Sequence, residues 1–180
     1  MAPYSAAQVS NGFLKLAAED EKPLSQLALQ KLLYFAHGWY LGYHSGPLVD
    51  ETFQAWELGP VIEGIYHEFK HYGHRPIERP ATEVVYTGEA FEDPLNFQIV
   101  PAIEPPPTDT EAWQMMRAVW VSYGRRYSPG QLVNMTHIEG GPWHTVMNAP
   151  ANRGVRNPPI DNDTIREYFS ALVEQPSAVS

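Results

Sequence analysis

The sequence predicts a mainly α, α+β domain: a compact set of helices around one buried central helix, with a small antiparallel β element beside it. Three observations predict this. Between Leu27 and Leu41 only Gln30, Lys31, His37 and Gly38 interrupt an apolar run, and a helix apolar around most of its circumference is covered on several sides. Elsewhere apolar residues recur at spacings of three and four behind capping residues, the pattern of amphipathic helices. From Pro76 to Thr108 that pattern stops, prolines punctuate the chain, and only 82–87 and 96–100 read as strands.

In chain order, Ser5 and Gln8 form a capping box, each side chain satisfying a free backbone donor, for a first helix of about 5–19 carrying Val9, Phe13, Leu16 and Ala17. Glu19 to Glu21 and then Pro23 end it. Ser25 is the N-cap of the central helix, which the turn residues His44 to Pro47 close. A short extended piece over 52–58 follows. Gly59-Pro60 is expected to open a helix with proline in its first turn, with Val61, Ile62, Ile65, Tyr66, Phe69 and Tyr72 as its core stripe and Gly73 as its stop. The strand-like pieces 82–87 and 96–100 predict a hairpin or small sheet, open to including Phe53 to Trp56. Thr108 and Glu111 suggest another capping box, ahead of Trp113, Met116, Trp120, Tyr123 and Tyr127 at helical spacing. Ser128-Pro129 and Gly141-Pro142 start two further helices. Asp161 caps the last, with Ile165, Tyr168, Phe169 and Leu172 on one side. The 180 residues are expected to form one domain, 1–180, with a frayed tail at 175–180.

Composition narrows the function classes. Twelve Lys plus Arg against 21 Asp plus Glu give a formal net charge of -9, which opposes generic binding to phosphate backbones and favours a basic partner. Without cysteine there is no disulfide scaffold and no thiolate-held metal. No secretory signal is evident at the amino terminus, and the central apolar run is too short for a membrane span, so a cytoplasmic protein is expected, with neither nucleic acid nor membrane as partner. Between Arg79 and Arg117 there is no Lys or Arg, while Glu83, Glu89, Glu92, Asp93, Glu104, Asp109 and Glu111 are all acidic. These acids either keep a surface loop hydrated or form a docking patch for a basic protein, in which case Glu83, Glu89, Glu92 and Asp93 are the contact candidates.

Of motifs that carry chemistry, His67-Glu68-Phe69-Lys70-His71 matches the H-E-x-x-H of zinc hydrolases, where two histidines one turn apart hold the metal and the glutamate activates water. A third ligand would have to be His74 or Glu63, and Lys70 adds a cation to the same face, so a solvated polar face is the expected reading and no metal or cofactor is assigned. Lys31, inside an apolar helix, must either reach water with its ammonium or pair with a carboxylate, Glu57 or Glu63 being the candidates. Thr136, His137 and Trp143 read as a helix end and a core plug in preference to a catalytic loop. Phosphate loop, dinucleotide fingerprint and nucleophile elbow are all missing, and no catalytic group of residues assembles, so a non-enzymatic binding protein is expected.

Three ordered segments, LQKLLYFAHGWYL at 29–41, FQAWELGPVIEGIYHEFKHYG at 53–73 and LVNMTHIEGGPW at 132–143, together resemble the Panacea antitoxin domain, also described as SocA-like or phage-associated GepA-like proteins. The resemblance runs from the first helix through Trp143. It implies a mainly helical antitoxin of a toxin-antitoxin pair that neutralises a cognate toxin by direct protein contact. The alternative it implies is an adaptor delivering the toxin to a Clp-type protease, and the remote alternative is a zinc-dependent hydrolase using His67, Glu68 and His71. The motif positions it carries over are Lys31, Leu32, Tyr34, Trp56, Gly59, Pro60, Val61, Tyr66, Thr136, His137 and Trp143. It also implies that the region of His67 and His71 is a variable polar face.

Overall fold

The computed structural model describes residues 1–86 and 97–175. Helix α1 (Ala6–Glu19) starts at Ser5, whose hydroxyl accepts from the Gln8 amide while the Gln8 side chain accepts from the Ser5 amide. Helix α2 (Gln26–Tyr43) is capped by Ser25 and is buried from Ala28 through Gly38 without a break. A helix closed off on all faces needs neighbours all round, and α2 touches α1, strand β2 (Gly59–Val61) and helices α3 (Glu63–Phe69), α4 (Thr110–Val119), α5 (Pro129–Thr136) and α7 (Asn162–Glu174). Gly38 and Gly42 lie beneath Phe169 of α7 (Asn162–Glu174), where any side chain would collide with its ring or backbone. Phe35 stacks on Tyr123 with ring centroids 4.4 Å apart, and the Trp39 indole donates to the Tyr123 hydroxyl at 2.9 Å. His37 is fully buried: the Val49 amide donates to Nδ1, so the proton sits on Nε2, which donates to Asn162 Oδ1 at 2.8 Å. Burial pushes this histidine down to about 4, with Arg166 adding to the effect and the Asn162 contact opposing it.

The strands form two separate sheets. One has the antiparallel order β2-β1-β5, from β1 (Phe53–Trp56), β2 (Gly59–Val61) and β5 (Pro159–Ile160). The other is the hairpin of β3 (Thr82–Tyr86) and β4 (Phe97–Pro101), so Phe53 to Trp56 belong to a different sheet from the hairpin. The helix expected at Gly59-Pro60 is strand β2 instead. Trp56 pairs with Gly59 around the two-residue turn Glu57-Leu58, and Gly59 has φ +96, a conformation open to glycine and outside the helical basin. Pro60 is tolerated because β2 is an edge strand of the ladder. Helix α3 (Glu63–Phe69) therefore begins later, and a 3-10 turn over Lys70–Tyr72 ends it at Gly73.

Helix α4 (Thr110–Val119) takes its cap from Asp109 in place of Thr108. The Asp109 carboxylate accepts from the Ala112 amide at 3.1 Å and from the Tyr4 hydroxyl at 2.6 Å, and a carboxylate is a stronger acceptor than a hydroxyl. A wider π turn, Trp120–Gly124, extends it. Helix α5 (Pro129–Thr136) carries a full Ser128-Gln131 capping box, α6 (Pro142–Asn148) has proline in its first turn, and Asp161 caps α7. Among the described residues no helix is long and apolar enough to cross a membrane. The tail 176–180 lies outside the described residues.

Candidate functional site

Two successive residues of α2 grip strand β2. Gln30 pairs with Ile62 as a neighbouring strand would, its Oε1 accepting from the Ile62 amide at 2.9 Å and its Nε2 donating to the carbonyl at 3.1 Å. Lys31 Nζ donates to the Pro60 carbonyl at 2.8 Å. The two side chains satisfy the outer edge of β2 at Pro60 and the backbone of Ile62 just past its end, while on the far side of the sheet the Ala55 amide donates to the Pro158 carbonyl. Lys31 is 0 % exposed and pairs with no carboxylate among the described residues, so neither partner expected for it is found: Glu57 is exposed at the hairpin turn and Glu63 lies beside Gln54 and His67. Removal from water pushes its amine down to about 7, far below an ordinary lysine.

Several of the other motif positions meet around this lysine. A side chain on Gly59 would come 2.5 Å from Thr136 Oγ1 and 3.0 Å from Lys31 Nζ, so Gly59, Lys31 and Thr136 converge on one point. Thr136 turns its hydroxyl back to the Val133 carbonyl at 2.7 Å. His137 ends α5 and lies flat on Trp143, ring centroids 3.7 Å apart and 13° from parallel. Trp143 in turn donates to the Trp56 carbonyl at 2.7 Å. Burial, followed by the Lys31 charge, holds His137 below its usual range. Trp56 faces Tyr66 at 4.8 Å. Leu32 and Tyr34 sit apart from this group: both are core residues, and Tyr34 meets Phe35, Phe53 and Phe169 edge-on. Val61 is buried on β2, against the groove that Trp56 and Tyr66 line. The motif thus assembles across the sequence into a polar clamp that fixes the β1–β2 hairpin to α2 and α5.

The H-E-x-x-H residues do not assemble in the same way. Glu68 reaches out of the face, accepting from the Thr82 amide at 3.0 Å and the Thr82 hydroxyl at 2.8 Å. His67 Nε2 stands 3.5 Å from Glu63, and the change from α to 3-10 geometry at Lys70 falls between the two histidines. Among the described residues no group of three or more His, Asp or Glu could hold a metal ion.

The acidic segment divides. Glu104 binds Lys15 at 2.7 Å, and that contact lowers its carboxyl; Asp109 is consumed by its cap and by Tyr4; Glu111 lies 3.8 Å from His44. Glu83 is half-buried on β3, and Glu89, Glu92 and Asp93 fall outside the described residues. Between those acids in sequence stands the feature that charge reading missed. In the hairpin register Val84 faces Ile99 and Tyr86 faces Phe97, and these four lie on one face because side chains alternate along a strand. They are 53, 65, 56 and 46 % exposed, an uncovered apolar face. Asn11 of α1 holds its base: Nδ2 donates to the carbonyls of Ala81 (3.0 Å) and Ala102 (2.7 Å), and the Ala81 amide donates back to Oδ1 (2.7 Å). The strand-like run 82–87 with Val84 and Tyr86 two residues apart was the available signal.

The geometry defines a small α+β domain whose buried polar groups tie the β1–β2 hairpin to α2 and α5 and whose β3–β4 hairpin exposes apolar residues on one face. The model of the family "Antitoxin SocA-like, Panacea domain" matches residues 29–144. Antitoxin SocA of Caulobacter vibrioides (strain NA1000 / CB15N) is 38 % identical over 145 residues, covering 81 % of this chain and 71 % of that protein. The chain belongs to the SocA-like Panacea family. No solved structure matches it.

Proposed function

We propose that this chain is an antitoxin that neutralises a cognate toxin by direct protein contact, made across the uncovered face of the β3–β4 hairpin, with no bond made or broken in the process. Family membership supports the antitoxin role. The observation that carries the docking surface is the set Val84, Tyr86, Phe97 and Ile99, exposed together on an element held to the body at its base. A two-stranded ribbon is marginal in water on its own, and one with a bare apolar face gains most from a partner that covers it. The net charge of -9 suits a toxin with a basic surface, and Glu83, Glu89, Glu92 and Asp93 would steer its approach from positions on β3 and in the stretch joining the strands.

The test is the double substitution Val84→Ser with Ile99→Ser, read as toxin affinity and as survival of cells expressing the neighbouring toxin gene. Affinity should fall at least tenfold with folding unchanged; undiminished affinity would remove this face from the interface. Repeating the survival assay in cells lacking the Clp protease separates blocking from delivery, since blocking survives the loss of the protease.

A further inference from the structure

Beyond the hairpin, a groove of about 320 Å³ lies where the N-terminal turn of α2 meets the β1–β2 turn and α3. Trp56 and Tyr66 line it with their rings inclined at 55°. Glu57 lines it from the turn, and no lysine or arginine does. Glu57 forms no ion pair among the described residues. Gln26 also lines it, and its carbonyl Oε1 is buried with no donor among the described residues. Leu58, 53 % exposed on the same turn, leaves the groove an apolar lip.

We infer that this groove receives an arginine side chain from a protein partner. Two aromatic faces set at an angle attract a planar cation, and the free carboxylate of Glu57 supplies the opposite charge. A guanidinium meets both demands at once because it stacks flat and presents five donors; an ammonium is a point charge that holds its water more tightly. The volume accommodates one long side chain and no folded element. The site stands on its own geometry and does not depend on the partner being a toxin.

The experiment titrates the isotope-labelled full chain with N-acetyl-arginine amide while following the indole N–H of Trp56 by NMR. The neutral analogue N-acetyl-citrulline amide, which keeps the shape and loses the charge, is titrated in parallel. A saturable shift at Trp56 is expected with a dissociation constant on the order of 1–10 mM. Citrulline should bind at least fivefold more weakly, and Glu57→Gln, an exposed turn position that leaves folding intact, should weaken arginine at least threefold while Glu83→Gln leaves it unchanged. Equal binding of citrulline, indifference to Glu57→Gln, or shifts of the same size at all five tryptophans would each overturn the site. A chain that binds the arginine probe yet fails to neutralise a toxin would overturn the antitoxin reading alone, and the reverse result would overturn only the groove.

Discussion

Lys31 has a charge-bearing head and is sealed from water, whereas Val84, purely apolar, stands 53 % exposed. The two residues mark regions built on opposite terms. Around Lys31 the polar groups answer one another through backbone: Gln30 and Lys31 on β2, Thr136 on Val133, Trp143 on Trp56. Around Val84 the structure is one ribbon anchored by Asn11 and Glu68, with its apolar side open. The contrast separates two reasons for keeping a residue. The motif positions around Lys31 tie the framework together, and the hairpin face lies outside them, whereas Trp56, Val61 and Tyr66 belong to the motif and also line the groove.

Breaking the clamp should give the largest effect. Gly59→Ala puts a methyl 2.5 Å from the Thr136 hydroxyl at a φ of +96, combining overpacking with a strained backbone. A loss of roughly 3 kcal/mol or more is expected in urea unfolding; a loss below about 1 kcal/mol would mean that the clamp yields. Glycines with open space around them and ordinary φ, such as Gly64, should accept alanine with little change.

The clamp also carries a pH signature. The folded-state amine of Lys31 sits near 7 against an ordinary 10.5, so between those values the unfolded chain holds a proton that the folded chain does not. Stability contributed through this group therefore rises with pH from about 7 toward 10, and is lowest below 7. Lys31→Met should flatten that rise, so that the variant gains on the parent as pH falls from about 9.5 to 7. Parallel urea midpoints for the two chains would contradict the assignment. His37 acts in a lower window: the unfolded ring takes a proton near 6.5 and the folded ring only near 4, so stability drains away as pH falls between them.

The hairpin's anchor should show an intermediate effect with a local footprint. Asn11→Ala removes three hydrogen bonds and leaves the Ala81 amide and the Ala102 carbonyl without their partner, while the Ala81 carbonyl keeps the Ala102 amide, at a cost of about 3 kcal/mol. Hydrogen exchange should accelerate first in β3 and β4 while α2 keeps its protection; uniform acceleration would show that the ribbon and the core open together. The smallest effect on stability belongs to the hairpin face, where Val84→Ser with Ile99→Ser should stay within about 0.5 kcal/mol. The same pair should produce the greatest loss of toxin binding. Charge reversal of Glu89, Glu92 and Asp93 should slow toxin association at low salt and matter less at high salt; an unchanged low-salt rate would discard the acidic patch.

Much of the framework was legible because its signals are local. Ser5, Ser25, Ser128 and Asp161 cap where their spacing predicts, since a cap is decided within four residues. Gly59-Pro60 misled because proline fits either a first helical turn or an edge strand, and Glu57-Leu58 lacks the Asn-Gly or Asp-Gly chemistry that usually marks a two-residue turn. The Lys31 contact was hidden for a different reason. Its partner is a carbonyl 29 residues away, and every residue has a carbonyl, so composition cannot point to one. Asn11 was invisible likewise, because its partners lie 70 and 91 residues further on. The resemblance located Lys31, Gly59, Thr136, His137 and Trp143 but not Gln30, and the convergence on Gly59 required the fold.

Phe169 seals α2 at the notch of Gly38 and Gly42, although 131 positions separate Gly38 from it along the chain. During synthesis the central helix therefore waits for α7 before its last face is dry. At ordinary elongation rates the interval is on the order of ten seconds. Throughout it the nascent polypeptide exposes one face of its most apolar helix, so the packed core becomes available only when translation has passed α7.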